Sequence, residues 1–371
     1  MDRREFIKLG TALPLTAAAG ALGGMGNAWG QQKPFAPQPG QWRTYEVTTR
    51  VEILKPAGVT KVWLPLPSIN SEYQKSLDSK WVAPGAQVSV VEDGTYGAKI
   101  LVAEFPDSVA KPSVELTSRV QTQDRAVDWA RKSSAKQDTA ALKLWLQATE
   151  LMPTDGIVRR TAEEAIKGKR TDRDKAQALY DWVVTNTHRE PSTRGCGVGD
   201  IKAMLESGNL GGKCADLNAL FVGMARSVGI PARDVYGVRV APSAFGYKAL
   251  SANSANITRA QHCRAEVYLA DYGWTAMDPA DVAKVMREET PEWIKTASHP
   301  LVTPVNQRLF GSWEGNWLAF NVAHDVALPG AKGPKVGFFM YPNAETSNER
   351  LDSLDPDNFK YVMSAREAKT A

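Results

Sequence analysis

Apolar and polar residues alternate along much of the first third of the chain, which predicts β-strands in that part. Residues 45–53 and 113–120 alternate over most of their length. Residues 88–102 form two apolar runs on either side of Asp93-Gly94, a dipeptide typical of tight hairpin turns. We therefore expect a small antiparallel β domain over residues 42–124, with an interior that includes Val47, Val51, Ile53, Val62 and Leu64.

From about Arg125 the apolar residues recur three and four positions apart, which predicts helices. We expect helices over residues 140–151, from a cap at Thr154 to Ile166, and after a cap at Thr171. A glycine-rich loop over residues 195–212, with a short helix near 202–206, precedes a further helix that ends at Gly229 and Pro231. The apolar face of that helix consists of Leu217, Leu220, Phe221, Met224 and Val228.

Strand-like runs return in the second half of the chain. They lie at residues 235–240, 265–269 and 274–277, and two more follow at 317–323 and 335–341. This order predicts a core domain over residues 125–285. A C-terminal extension over residues 286–371 is expected to add strands to that core.

The first residues have the pattern of an export signal rather than of a folded segment. Arg3 and Arg4 precede an apolar, glycine-rich stretch from Leu9 to about Gly24, and small residues follow up to Gly30. We therefore expect a twin-arginine signal over residues 1–30 and a periplasmic mature protein. Retention as a membrane anchor is the alternative, although the stretch is short for a span of about 20 apolar residues. We expect no other membrane span.

Composition narrows the functional classes. The chain has 371 residues, 43% of them hydrophobic and 23% charged, which is typical of a globular protein. Its net charge of +4 is too small to favour nucleic acid binding. Three cysteines are an odd number for an oxidising compartment, so at least one thiol stays free in a monomer.

Cys214 is the candidate nucleophile, because it follows Gly211-Gly212 at the predicted start of an apolar helix. Only the thiolate is nucleophilic, and a helix N-terminus stabilises it through the free amides and the helix dipole. The glycines would let the backbone approach a carbonyl group, and the amide of Cys214 could donate a hydrogen bond to its oxygen in the transition state.

His262 and Asp278 are the candidate base and orienting acid. They lie at the two ends of a predicted antiparallel hairpin whose turn is at residues 270–273, so they would come side by side. Taken singly, each of the three residues has an ordinary structural interpretation, such as a buried thiol or a turn residue. Their combination favours a catalytic triad. The other histidines, His188, His299 and His324, are interpreted as structural.

Two groups of residues resemble the motifs of a known family. The first group runs from Gly212 through Cys214 and Asp216 to Arg233, and the second comprises His262, residues 266–269, Gly273-Trp274 and Asp278-Pro279. Together they resemble the transglutaminase-like superfamily over roughly residues 170–285. The resemblance implies an α+β fold with a papain-like core, in which the helix bearing the cysteine packs on an antiparallel sheet. It also implies that Cys214 is the nucleophile, His262 the base and Asp278 the orienting acid.

The chain departs from the family pattern next to the base. Many members have an aromatic residue two positions after the histidine, where this chain has Arg264, and Cys263 is adjacent. The second oxyanion donor is not identified, and Asn209 is a weak candidate. Cys196 and Cys263 are hypothesised to form a disulfide, with two separate buried thiols as the alternative.

The resemblance implies acyl transfer from an amide, on a protein-glutamine or peptide substrate, through a thioester on Cys214. A cysteine peptidase or amidase acting on periplasmic peptides is the first alternative, because only the acyl acceptor differs. A non-catalytic binding module on the same fold is the second alternative. No calcium-loop or zinc-ligand spacing is found, so we expect neither a metal nor another cofactor.

Overall fold

The computed structural model of the 371-residue chain describes residues 33–133 and 137–368. The expected signal sequence lies outside the described residues. The helices of the described part are α1 (Thr139–Lys143), α2 (Gly156–Ala165), α3 (Asp172–Asn186), α4 (Ile201–Ser207), α5 (Cys214–Ser227), α6 (Pro279–Glu288) and α7 (Thr303–Arg308). The first nine strands are β1 (Arg43–Ile53), β2 (Thr60–Leu66), β3 (Gln74–Val82), β4 (Gln87–Glu92), β5 (Lys99–Phe105), β6 (Ser113–Thr122), β7 (Arg125–Ala126), β8 (His188–Arg189) and β9 (Gly211–Gly212).

The remaining described strands follow α5. They are β10 (Ala232–Arg239), β11 (Gln261–Leu269), β12 (Gly273–Met277), β13 (Ser312–Trp313), β14 (Trp317–Asn321), β15 (His324–Val326), β16 (Val336–Phe338), β17 (Asn343–Glu345), β18 (Arg350–Leu351) and β19 (Phe359–Ala368). This mixture of helices and antiparallel strands confirms the α+β class that the resemblance implies.

The central sheet has the order β12-β11-β10-β14, and all its pairs are antiparallel. Helix α5 packs on β10 and β11, and α3 and α6 pack beside it. Every residue of α5 is buried, including its polar ones, because the helix lies between the sheet and the other helices. The predicted hairpin is confirmed: β11 and β12 pair with Ala265 opposite Met277. The sheet therefore brings the start of β11 close to the residue that follows β12.

Two further sheets contain the N-terminal strands. Their orders are β19-β1-β6-β3 and β18-β17-β2-β5-β4. The predicted hairpin over residues 88–102 is confirmed as β4 and β5, and the five core positions named from the sequence pattern are buried. Of the later strands, β14 extends the central sheet, whereas β17, β18 and β19 join the sheets of the N-terminal strands. The domain boundaries given above stay a prediction.

The helices differ in part from the sequence pattern. Thr171 caps α3 as predicted, with its hydroxyl oxygen accepting from the amide of Asp174 at 3.1 Å. The predicted helix over residues 140–151 is wrong beyond Lys143, where a single 3₁₀ turn over residues 144–146 follows. In that turn Trp145 is buried against Tyr96 and Trp274, so tertiary packing overrides the local helical pattern. Among residues 33–133 and 137–368, no helix has the length and hydrophobicity needed to cross a membrane.

Candidate active site

Cys214 is the first residue of α5, and an acidic side chain in the same turn fixes the start of the helix. The Asp216 carboxylate accepts a hydrogen bond from the Lys213 amide at 2.9 Å. As the first helical residue, Cys214 has an amide without an acceptor inside the helix. Its thiol therefore lies at the positive end of a fully buried helix, where a thiolate is stabilised.

The loop before the nucleophile helix is bound to the same carboxylate. The second oxygen of Asp216 accepts from the amides of Val198 and Gly199, each at 2.9 Å. Gly197 has a φ of +92° and packs against the carboxylate so closely that a Cβ atom would overlap it. A glycine is therefore required there, and the loop is held in one position relative to Cys214.

His262 lies in β11, opposite Gly237 in β10. Its backbone oxygen accepts from the indole nitrogen of Trp317 at 3.0 Å. Gly237 leaves space for that indole ring, which lies 2.5 Å from the position that a Cβ atom would take. The Nε2 atom of His262 is 2.8 Å from Oδ2 of Asp278, so Nδ1 is the ring nitrogen that remains for the thiol.

Asp278 is the residue that caps α6. Its Oδ1 atom accepts from the Asp281 amide at 3.1 Å, while its other oxygen contacts the imidazole. Asn218, one helical turn after Cys214, donates to the same Oδ1 at 3.2 Å and to the Cys263 oxygen at 2.8 Å. One buried amide thus connects the nucleophile helix, the histidine strand and the aspartate cap.

A second carboxylate, which the sequence analysis did not identify, also contacts the base. Oδ1 of Asp281 is 3.3 Å from Nε2 of His262. Arg239 binds both oxygens of Asp281, at 2.8 and 2.9 Å. Nε of Arg264 lies 3.6 Å from Oδ2 of Asp278. All five side chains are buried, so the base belongs to an ionic network and not to a simple pair.

Arg264 is the position at which the chain departs from the family pattern. Its guanidinium lies over the rings of Trp313 and Trp317, at 5.3 and 4.6 Å from their centroids. It also donates to the backbone oxygen of Glu314 at 3.0 Å. Burial, with the like charge of Arg239 nearby, lowers the pKa of Arg264 to about 10. Stacking on the two indoles contributes to the stability of a cation at this depth.

The electrostatics of the site favour a thiolate beside an imidazolium. Burial and Arg239 lower the pKa of His262, but Asp281 and Asp278 together outweigh both and raise it from 6.5 to about 10. Burial would raise the pKa of the Cys214 thiol. Hydrogen bonds from Cys196, Cys263 and His262, together with the histidine charge, hold that pKa well below its usual range. At neutral pH the proton therefore resides on the imidazole.

The other two thiols lie beside Cys214 rather than bonded to each other. All three cysteines are free and buried, so the hypothesised Cys196–Cys263 disulfide is not formed. The Cys196 thiol donates to the Gln261 oxygen at 3.3 Å, and Cys263 contacts Met340. The interaction with Cys214, together with burial, raises the pKa of Cys196 well above its usual range. Burial, together with the interaction with Cys214, does the same for the pKa of Cys263.

Cys214 and His262 both line a cleft of about 610 Å³, which is within the usual size range of ligand sites. Most of the other walls come from residues 194–196, from residues 251–261 up to the start of β11, and from residues 353–361, which include the start of β19. Asn209 is not among the lining residues. Its side chain is exposed and its oxygen accepts from the Gly211 amide at 3.2 Å, so the structure does not place the suggested oxyanion donor in the cleft.

Three of these residues could geometrically hold a metal ion. The ligand atoms of His262, Asp278 and Asp281 lie within 4.8 Å of one another. However, Arg239 already binds both oxygens of Asp281, and the guanidinium of Arg264 is adjacent. The donor atoms thus already have cationic partners, and the residues do not fit a metal ion well. The absence of a metal or other cofactor stays an expectation.

Sequence reasoning missed Asp281, Arg239 and Asn218. The spacing of Asp278 and Asp281 places both carboxylates in the first turn of one helix, and Asn218 lies one turn after Cys214. Both spacings are visible in the sequence and could have identified Asp281 and Asn218. Arg239 comes from another strand and carries no such signal. The remaining histidines lie outside the cleft: His324 contacts the Tyr236 hydroxyl at 3.1 Å and His299 accepts from an amide, while His188 packs on Trp293.

Two solved structures align with most of the chain at low sequence identity. The crystal structure of a candidate cysteine protease from Cytophaga hutchinsonii is 15% identical, with a TM-score of 0.49, over 88% of this chain and 99% of that chain. The periplasmic domain of TgpA from Pseudomonas aeruginosa is also 15% identical, with a TM-score of 0.35, over 73% of this chain and 76% of that chain.

Sequence comparisons identify the family. A family model of the transglutaminase-like superfamily matches residues 159–279, which include all three candidate residues. An uncharacterized protein from Haemophilus influenzae is 35% identical over 339 residues, or 85% of this chain and 89% of that protein. The chain belongs to the transglutaminase-like superfamily.

Proposed function

We propose that the protein is a cysteine enzyme that attacks an amide carbonyl of a protein or peptide substrate. One observation carries the proposal: the Cys214 thiol begins a buried helix beside an imidazole that two carboxylates hold in its charged form. Membership of the superfamily supports cysteine-based catalysis. The roles assigned are nucleophile for Cys214, general acid and base for His262, and orienting acid for Asp278.

The proposed reaction has two steps. The Cys214 thiolate forms a bond to the amide carbon, and the free amide at the start of α5 stabilises the oxyanion. The imidazolium of His262 then gives its proton to the leaving nitrogen, the carbon–nitrogen bond breaks and a thioester remains. In the second step neutral His262 takes a proton from the acceptor, which attacks the thioester and releases the thiolate.

The acceptor decides between two versions of this function. An amine acceptor gives a new amide, as in transglutamination, whereas water gives a free acid, as in a peptidase or amidase. The thiolate–imidazolium pair serves both versions equally. The two versions are distinguished by incubating one peptide with a labelled primary amine and measuring the mass of the product. An amine adduct indicates transfer, and a free acid indicates hydrolysis.

We also propose that the enzyme acts outside the cytoplasm. The support is the sequence pattern alone, namely Arg3-Arg4 before a short apolar stretch that ends in small residues. Replacing both arginines by lysine should leave the protein in the cytoplasmic fraction if the twin-arginine route exports it. Unchanged periplasmic recovery of the variant would contradict this part of the proposal.

The central experiment measures the reactivity of Cys214 as a function of pH. Iodoacetamide labels the protein, and peptide mass spectrometry separates the modification of Cys214 from that of Cys196 and Cys263. We expect fast labelling of Cys214 far below pH 8, and its loss in His262→Ala. The matched control is His299→Ala, since His299 lies outside the cleft. Labelling only above about pH 8.5, the usual thiol pKa, would contradict the proposal and favour a non-catalytic binding module.

A further inference from the structure

The charge of the catalytic cleft is one-sided. Among the described residues that line it, seven are lysine or arginine and none is aspartate or glutamate. The whole chain carries 45 basic and 41 acidic residues, so the rest of the chain has a small acidic excess. The cleft is therefore more basic than the rest of the chain taken together.

Four of the seven cations are paired with carboxylates that do not line the cleft. The pairs are Arg189–Glu288 at 2.8 Å, Arg194–Asp352 at 2.5 Å, Arg239–Asp281 at 2.8 Å and Lys360–Glu52 at 2.9 Å. Arg239 belongs to the network around the base. The acidic partners of the other three do not line the cleft, so the cleft wall itself presents the cationic side chains.

The remaining three cations are Lys213, Arg259 and Lys284. Within the described part of the chain, none of their charged side-chain groups lies within 4.0 Å of a carboxylate oxygen. They belong to three different segments around the thiol: the residue before α5, the loop that leads to β11, and the middle of α6. Lys284 is partly buried, and its desolvation together with Arg239 lowers its pKa.

Catalysis itself does not account for these three charges. The Cys214 thiolate is already balanced by the imidazolium, and the carboxylates of Asp278 and Asp281 are balanced by the guanidinium groups of Arg264 and Arg239. The acidic neighbours of Lys284, Asp281 and Glu288, are already bound by Arg239 and Arg189. A partly buried lysine whose acidic neighbours are paired elsewhere is unfavourable in the free protein. Such a group is expected where a ligand supplies the missing negative charge.

We infer that the cleft selects peptides that carry carboxylates next to the reacting amide. This inference rests on the proposed function, because it names the substrate class of the same site. Lys213, Arg259 and Lys284 would bind these carboxylates on different sides of Cys214. The carboxylates can be acidic side chains or a free chain terminus, which offer the same chemistry.

A first experiment measures the potential of the cleft without any turnover. Cys214 is alkylated with anionic iodoacetate and, separately, with neutral iodoacetamide. The rate constant for iodoacetate is divided by that for iodoacetamide, and this ratio is then divided by the same ratio measured for N-acetylcysteine. The thiolate fraction cancels in this ratio. We expect a normalised ratio of about 5 or more. Each of Lys213→Gln, Arg259→Gln and Lys284→Gln should lower it about threefold, because each removes one positive charge that attracts the anionic reagent. Lys167→Gln, in the turn after α2, is the control of equal charge change, since the Lys167 side chain is 78% exposed.

A second experiment tests substrates. Peptides with one central glutamine are flanked by glutamate, glutamine or lysine, each as a C-terminal acid and as an amide, and acylation of Cys214 is measured after an acid quench. We expect the glutamate-flanked peptides to acylate at least tenfold faster than the glutamine-flanked ones. A preference for the terminal acid over the terminal amide would identify the chain terminus as the source of the carboxylate.

The outcomes separate the inference from the proposed function. A normalised ratio near 1, or equal acylation by glutamate- and glutamine-flanked peptides, overturns the inference while the cysteine enzyme stands. A high ratio that falls in the three variants, with no acylation by any peptide, supports an anion-selective cleft and contradicts amide attack by Cys214.

Discussion

Replacing Asp281 by asparagine should lower the pKa of His262 more than replacing any other single acidic residue outside the proposed triad. The Asp281 carboxylate lies 3.3 Å from the imidazole, and its charge is the strongest of the influences that raise the pKa of His262. The substitution keeps the shape of the side chain and removes the charge. It also leaves the buried guanidinium of Arg239 without its two carboxylate contacts.

The magnitude follows from Coulomb's law. One charge at about 4 Å in partly screened protein contributes about 4 kcal/mol, and 1.36 kcal/mol corresponds to one pKa unit, so Asp281→Asn should lower the pKa of His262 by about three. The expected value is about 7, compared with about 10 in the unchanged protein. The double variant Asp281→Asn/Arg239→Gln also removes the opposing positive charge, so it should lower the pKa by only about one or two.

The two variants also differ in stability. Leaving Arg239 buried and unpaired should cost about 3–5 kcal/mol of the free energy of unfolding. The double variant removes both charges of the pair and should be less destabilised, because replacing both partners avoids an uncompensated buried charge. It therefore serves as the second measurement if the single variant folds poorly.

The assay is an NMR titration of protein labelled with ¹⁵N-histidine. The chain has four histidines, and the spectrum of His262→Ala assigns the one of interest. Asp271→Asn is the control, since Asp271 is an exposed acid at the turn between β11 and β12 of the same hairpin. If His262 stays protonated at pH 9 in folded Asp281→Asn, the assigned contribution of the second carboxylate is refuted.

Three further predictions follow from the site. Cys196→Ala should raise the pKa of Cys214 by removing the largest of the hydrogen bonds that lower it, and the midpoint of Cys214 alkylation should move to higher pH; an unchanged midpoint would contradict this. Gly237→Ala should destabilise the protein by about 3 kcal/mol in urea unfolding, because its Cβ would overlap the adjacent strand, whereas Gly94→Ala has free space and should cost about 1 kcal/mol or less. Acyl transfer should decline above about pH 10, where His262 loses the proton that it gives to the leaving group, while alkylation of the thiolate continues. If acyl transfer and alkylation decline together, loss of this proton does not explain the loss of activity.

The sequence was sufficient to predict that His262 and Asp278 lie side by side because their relation is local. Ala265 pairs with Met277, so the two-residue period of a hairpin alone brings Asp278 level with Arg264 and next to His262. The position of Cys214 followed from an equally local signal, the glycine pair before an apolar helix. Such relations depend on short segments, whose geometry has few alternatives.

The parts that could not be predicted depend on contacts between distant segments. Strand β19 pairs with β1 over ten residues, although more than three hundred residues separate them, and neither strand indicates its partner by its pattern. Likewise, the contact of Cys196 with Cys214 depends on how Asp216 binds the loop before α5. Counting cysteines suggested a disulfide, but the packing brings both remaining thiols to the nucleophile.

Arg264 and Asp281 are best understood together, because the buried network must be close to neutral in charge. Among the groups in direct contact, the thiolate and two carboxylates contribute three negative charges, and the imidazolium, Arg239 and Arg264 contribute three positive ones. Lys284 acts on Asp281 only from outside ion-pair distance. An aromatic residue in place of Arg264, as in the family pattern, would leave the two carboxylates with one guanidinium. The excess negative charge would then oppose formation of the thiolate. Arginine at this position therefore compensates for the second carboxylate that raises the pKa of the base, so that the ion pair forms without an unbalanced buried charge.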